Sequence, residues 1–145
     1  GRHLKAEIFE NIAIRLQKLG YTVVCVGNGG DKSIAEAHVD YVGQTSIFEM
    51  ATILKKADLF IGIDSMPMHV AQAVKTPGVV FFGSIDPKSR IINSNMVGVT
   101  VPDLPCLGCH HRRPAPSVVT NVCQTGTLDC EEKITVETIW QKVLN

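Results

Sequence analysis

Residues Ala57–Ala73, ADLFIGIDSMPMHVAQA, run from an apolar strand straight into a helix, with a carboxylate, a hydroxyl and an imidazole packed into the junction. A strand end is a costly place to bury Asp64 and His69 unless they bond one another or bind a ligand. The short run Leu59–Ile63 is apolar on both faces, as in a strand of a parallel sheet covered on both sides. Pro67 opens the following helix, where its missing N–H costs no hydrogen bond.

Outward from this junction, strands and helices alternate. Phe9, Ile12, Ala13, Leu16 and Leu19 recur at helical spacing, and Gly20 follows as a stop. YTVVCVG, from Tyr21, reads as a strand buried on both faces and ends in the loop GNGGDK. A weaker strand near His38–Val42 precedes a helix marked by Ile47, Met50, Ala51 and Leu54, which Thr45 or Ser46 can cap. GVVFFG from Gly78 and MVGVTV from Met96 are the fourth and fifth strands, and Ile139, Trp140, Val143 and Leu144 mark a closing helix. The alternation predicts an α/β fold, a Rossmann-like doubly wound parallel sheet. Residues 1–145 read as one domain, with a Pro- and Cys-rich excursion over 102–133 and the closing helix over 134–145.

The chain has 145 residues, 45% of them apolar, enough for one domain with a substantial core. Fourteen basic residues balance fourteen acidic ones, so no global field favours nucleic acid or an anionic membrane, and any anion must be held locally. No apolar run approaches the ~20 residues of a membrane span, and no signal-peptide pattern opens the chain. A cytoplasmic location is the expectation, with contact at a membrane surface but no integral segment. The start at Gly1 suggests a piece of something longer.

In a doubly wound sheet ligands lie outside the carboxyl ends of the strands, where both the Asp64 junction and the GNGGDK loop fall. Free N–H groups at the start of the Pro67 helix attract phosphate. Ser65 can donate to a phosphate or sugar, His69 to a phosphoryl oxygen, and Asp64 can accept from a sugar hydroxyl or fix the imidazole tautomer. The structural alternative is that Asp64 or Ser65 caps the helix and His69 is a satisfied core residue. GNGGDK likewise reads as a ligand loop or a plain turn, since its glycines lack the dinucleotide-binding spacing.

The order of these motifs resembles the C-terminal domain of glycosyltransferase family 9, the ADP-heptose lipopolysaccharide heptosyltransferases. The family's Asp-Ser/Thr-Gly turn, His-x-Ala, Thr-Pro, apolar strand, Phe/Tyr-Gly and Thr/Ser-x-Pro segment are matched between Asp64 and Pro87 by IDSMPMHVAQA and KTPGVVFFGSIDP. TSIFEMATILKKAD is similar to the preceding helix, and GRHLKAEIF to a segment that places Arg2 at a phosphate-contacting lysine. Asp31 falls near the family's acidic residue for the donor nucleoside. Met66 stands where the family has glycine, which weakens close backbone approach to a pyrophosphate. The resemblance implies the C-terminal, donor-binding half of a two-domain GT-B enzyme that is metal-independent and inverting, with no catalytic cofactor. The donor site it implies is Asp64, Ser65, His69, Arg2, Asp31 and Thr45. It also implies a nucleotide-diphosphate sugar such as ADP-heptose as donor, a lipopolysaccharide or other glycan acceptor, and a catalytic base in an N-terminal half absent from this sequence.

Cys106 and Cys109 form a CxxC, with Cys123 and Cys130 following after thirteen and six intervening residues. Four thiolates in one loop-rich segment can enclose zinc, or iron in a Cys-four site. Disulfides and free thiols are the alternatives, the first disfavoured in a reducing compartment. Cys25 reads as packing. His110–Pro114, HHRRP, reads as a solvated face, or as Arg112 and Arg113 meeting a phosphorylated lipid core or a neighbouring subunit. The leading function is therefore a glycosyltransferase donor domain. Its rival is a non-catalytic nucleotide-binding or assembly module, and a metal knot binding nucleic acid is disfavoured by neutral charge and the lack of interleaved aromatics.

Overall fold

A computed structural model describes residues 4–92, 95–112, 123 and 125–144. Its centre is a parallel ladder of three strands in the order β3 (Phe60–Ile63), β4 (Gly78–Phe81), β5 (Met96–Val99). The register pairs Phe60 with Gly78 and Gly78 with Met96. Every residue of β4 is buried, because both faces of the sheet are covered. On one face Val80 packs with Met50 and Leu54 of α2 (Ile47–Lys56) and Met68 and Ala71 of α3 (Met66–Ala73). On the other, Val79 and Phe81 meet Ile8 and Ile12 of α1 (Ala6–Lys18) and Ile139 of α6 (Val136–Val143). Alternation along one strand thus feeds two cores.

The helix boundaries have local causes. Gly20 ends α1 at φ +88°, a conformation open to glycine. Ser46, one of the two expected caps, opens α2 in a capping box with Glu49, and Lys55 and Lys56 lie in its last turn. The Thr76 hydroxyl, buried, donates to the Leu54 carbonyl at 2.7 Å and ties the end of α2 to the α3–β4 turn. Thr135 caps α6 through the Thr138 N–H.

The expected single sheet is divided. β1 (Val24–Cys25) and β2 (Val39–Asp40) pair in parallel with each other, and among the described residues no ladder joins them to β3. The run from Tyr21 was expected to be buried on both faces, yet Val24 and Val39 are exposed. β-branched composition suits a strand, but only covering elements bury it. The Cys-rich excursion includes two short helices, α4 (Cys109–Arg112) and α5 (Asp129–Glu132), and α5 follows Leu128 at φ +52°.

Packing of one turn matters for the site. After β4 the chain makes a 3₁₀ turn at Pro87–Ser89, capped by the Asp86 carboxylate accepting from the Lys88 N–H. A Cβ on Gly98 of β5 would lie 2.5 Å from Pro87, so the bare glycine is what lets this turn rest on the sheet.

Phe82 is fully buried in the core beside α2 and α3. Phe82→Ala should lower the unfolding free energy by about 3–5 kcal/mol in urea denaturation. Phe48, 85% exposed on α2, should tolerate alanine within about 0.5 kcal/mol; similar losses at both positions would contradict this core.

Candidate functional site

The turn between β3 and α3 sits at the carboxyl edge of the sheet. Asp64, directly after β3, is only 4% exposed. Two cation-capable side chains flank it: His69 Nε2 lies 3.9 Å from Oδ1, and Arg90 Nε lies 3.8 Å from Oδ2. These distances give charge attraction without hydrogen bonds. Oδ2 of Asp64 and Nε of Arg90 are both buried and lack a hydrogen-bond partner. A carboxylate so placed is costly to bury unless a further group bonds to it.

The capping alternative is not realised. Ser65 occupies the N-cap position of α3 but makes no side-chain cap; its hydroxyl turns back to the Ile63 carbonyl at 3.3 Å. Pro67 stands at the second helical residue rather than the first, with Met66 before it, partly exposed at 37%. The first amides of the helix are therefore left without a side-chain acceptor. His69 is half-exposed, not a satisfied core residue.

The structure brings together Asp64, Ser65 and His69 and adds Arg90. Sequence reasoning missed this arginine; the available signal was a cation shortly after the Asp86–Pro87 turn, on the loop leaving the adjacent strand at the same sheet edge. Thr45 precedes the capping Ser46, and its hydroxyl is buried without a partner, so it too has hydrogen-bonding capacity for a ligand. Asp31 is turned into its own loop: Oδ2 accepts from the Asn28 N–H at 2.7 Å, and Asn28 Oδ1 accepts from the Gly30 N–H. That loop rests against Gly43, at φ +69°, where a Cβ would lie 2.9 Å from the Gly29 backbone. Arg2 lies outside the described residues.

Between α3 and the turn after β4 lies a cavity of about 450 Å³ lined by His69, Gln72, Ala73, Lys75, Ser89, Arg90 and Ile92. The buried Gln72 fixes one wall to the other. Its Nε2 donates to the Arg90 carbonyl at 3.2 Å, and its Oε1 accepts from the Ile92 N–H at 2.9 Å.

The expected four-cysteine metal site is not assembled. Among the described residues no disulfide joins Cys106, Cys109, Cys123 or Cys130, and no three His, Cys, Asp or Glu side chains are placed to hold a metal. The physical reason is a split of environments. Cys109 and Cys130 are buried, and burial pushes the Cys130 thiol up, with the Glu131, Cys106 and Cys109 charges adding to it. Cys123 instead lies 3.2 Å from the Thr125 hydroxyl, whose hydrogen bond lowers it to about 7. Burial likewise raises Cys25. Of the HHRRP cluster, His111 Nε2 lies 3.2 Å from the Ser89 hydroxyl and Arg112 is tied to the Leu107 carbonyl; Arg113 lies outside the described residues. No helix among the described residues is long and apolar enough to cross a membrane.

A family model for glycosyltransferase family 9 (heptosyltransferase) matches residues 3–116. The chain is 34% identical over 89 residues to lipopolysaccharide heptosyltransferase 3 of Escherichia coli, an alignment covering 54% of this chain and 26% of that protein. Two solved structures share the fold. A glycosyl transferase family 9 protein from Veillonella parvula superposes with a TM-score of 0.79 at 18% identity, over 99% of this chain and 41% of the other. ADP-heptose lps heptosyltransferase II of E. coli superposes with a TM-score of 0.64 at 15% identity, over 98% and 43%. The chain thus spans about a quarter of the matched E. coli relative's length and about two fifths of each of these structures.

Because the thiolate is the reactive form, a Cys123 pKa near 7 predicts that its alkylation by iodoacetamide accelerates as pH rises through about 7. Cys130, buried and raised, should label far more slowly. Peptide mass mapping against time reads both rates, and equal labelling of the two would contradict the Thr125 contact.

Proposed function

The chain belongs to glycosyltransferase family 9, and on that premise we propose that it is the donor-binding, C-terminal half of a GT-B glycosyltransferase. The donor is a nucleotide-diphosphate sugar, ADP-heptose being the first candidate, and the acceptor is a lipopolysaccharide or related glycan. The observation that carries this reading is Asp64: a carboxylate buried to 4% exposure at a strand end, with an unpartnered oxygen, beside the free N-terminus of α3.

The chemistry follows from those groups. The first amides of α3 donate to diphosphate oxygens, whose negative charge the helix dipole favours, and the Ser65 hydroxyl joins them by turning away from the Ile63 carbonyl. Asp64 accepts from a donor hydroxyl with its unpartnered oxygen. His69, close to Asp64 yet half-exposed, donates to a phosphoryl oxygen. Thr45 adds a hydroxyl toward the nucleoside; Arg2 is the matching phosphate contact. Asp31 acts on the nucleoside side by holding the 28–31 turn in place.

Transfer in this reading is inverting and metal-independent, and its leaving group is stabilised by fixed dipoles and cations. The base that activates the acceptor belongs to the other half. The protein works on the cytoplasmic side, at the membrane surface where a lipid-linked acceptor is presented. One observation favours a rival reading: Met66 carries a side chain at the first residue of α3, where the family pattern has glycine. A non-catalytic nucleotide-binding or assembly module would tolerate it.

Calorimetric titration of the intact parent protein with ADP, UDP and GDP tests the reading. One nucleotide should bind saturably, and the Asp64→Ala, His69→Ala double variant should lose that binding. A folded parent that binds none of the three would shift the reading to the non-catalytic module. Thr45→Val should leave stability unchanged or slightly higher, since it removes a buried hydroxyl without a partner, while nucleotide affinity falls; a clear loss of stability would instead make Thr45 structural.

A further inference from the structure

A nucleoside diphosphate brings several negative charges, and the departing diphosphate must be neutralised where it forms. Among the described residues, two cation-capable side chains lie within 4 Å of Asp64: His69, whose charge depends on protonation, and Arg90, whose charge does not. We propose that Arg90 is a catalytic residue of this transferase, the permanent cation that meets the diphosphate from the wall of the cavity beside α3. The proposal rests on reading Asp64 and His69 as the donor site.

Three observations converge on it. The Arg90 Nε is buried, faces Asp64 Oδ2 at 3.8 Å, and neither atom satisfies the other. Each therefore keeps hydrogen-bonding capacity that the fold leaves unused. The side chain as a whole is 36% exposed, and Arg90 lines the cavity.

The backbone that carries Arg90 is fixed from two sides. The Gln72 amide holds its carbonyl and the Ile92 N–H against α3, and Pro87 rests on the bare backbone of Gly98. Such anchoring lets a charged group act without first being ordered. The cavity lining suits phosphoryl oxygens, since His69, Lys75 and Arg90 are cationic or can become so. A guanidinium engages two such oxygens in parallel, which an ammonium does not.

The step balances without a metal. The bond between the anomeric carbon and the diphosphate oxygen breaks, and its electron pair stays on the diphosphate. The acceptor hydroxyl oxygen bonds to the anomeric carbon, and its proton passes to the base that the proposed function assigns to the other half. Arg90 N–H groups donate to the diphosphate oxygens as that charge grows, while Asp64 holds the guanidinium in register.

The test uses the intact parent protein with the nucleoside diphosphate that binds it, the matching nucleoside, and turnover of the sugar-linked donor. Arg90→Gln should weaken the diphosphate about tenfold, the worth of one charge-assisted hydrogen bond, leave the nucleoside within about twofold, and lower kcat more than it raises KM. Arg90→Lys should recover part of both losses, and it carries the test if Arg90→Gln does not fold. Unchanged diphosphate affinity and kcat would overturn the proposal, as would an equal loss for the nucleoside, which marks a purely structural role. Binding abolished by Asp64→Ala but untouched by both Arg90 variants would remove Arg90 alone and leave the donor site standing; absence of nucleotide binding in the wild type would remove both.

Discussion

Parallel pairing of β3, β4 and β5 is the constraint from which the rest of the molecule follows. Strands that run the same way must be joined by segments that cross back over a face of the sheet. The crossover helix α3, together with α2, buries Val80 on one side, and α1 and α6 bury Val79 and Phe81 on the other. The same geometry sends every strand out at one edge, so the turn after β3 and the turn after β4 end up as neighbours. Asp64 and Arg90 meet there because of topology, not proximity in the chain.

Burial then sets the chemistry. In water a carboxylate and a guanidinium attract weakly; at a strand end where the carboxylate is buried their charges act more strongly on each other. Asp64 is the pivot because it lies deeper than His69 and Arg90. Holding its two neighbours just beyond hydrogen-bond length leaves donors and an acceptor available without moving the backbone.

Much of this was readable before any coordinates. Hydrophobic spacing marked α1, α2 and α6, and the order of apolar runs predicted a parallel α/β sheet, because both depend on local pattern. The Asp64–His69 junction was readable for the same reason: a buried strand running into a helix with polar groups between them is a short-range feature. What could not be read depends on neighbours far along the chain. Arg90 gains its meaning only from the register that sets its turn beside β3. The Tyr21 run has the composition of a buried strand, but exposure of Val24 is decided by what lies over it. Cysteine spacing suggested one tetrahedral site; hydrogen bonding of Cys123 to Thr125 and burial of Cys130 put the thiols in unlike surroundings. Asp31 lies in the GNGGDK loop with no helix after it, and its carboxylate serves the loop itself.

The Gln72 amide spans the gap between α3 and the 90–92 backbone with two neutral hydrogen bonds. Neutral bonds between buried groups are little affected by salt and carry no protonation equilibrium, unlike the ionic attraction of a site for its ligand. Architecture and affinity in this protein are thus governed by different solution variables. If the groove holds the proposed diphosphate, ionic strength weakens that hold while the spacing between the two walls stays the same, so the groove keeps its width across the conditions in which its occupancy changes.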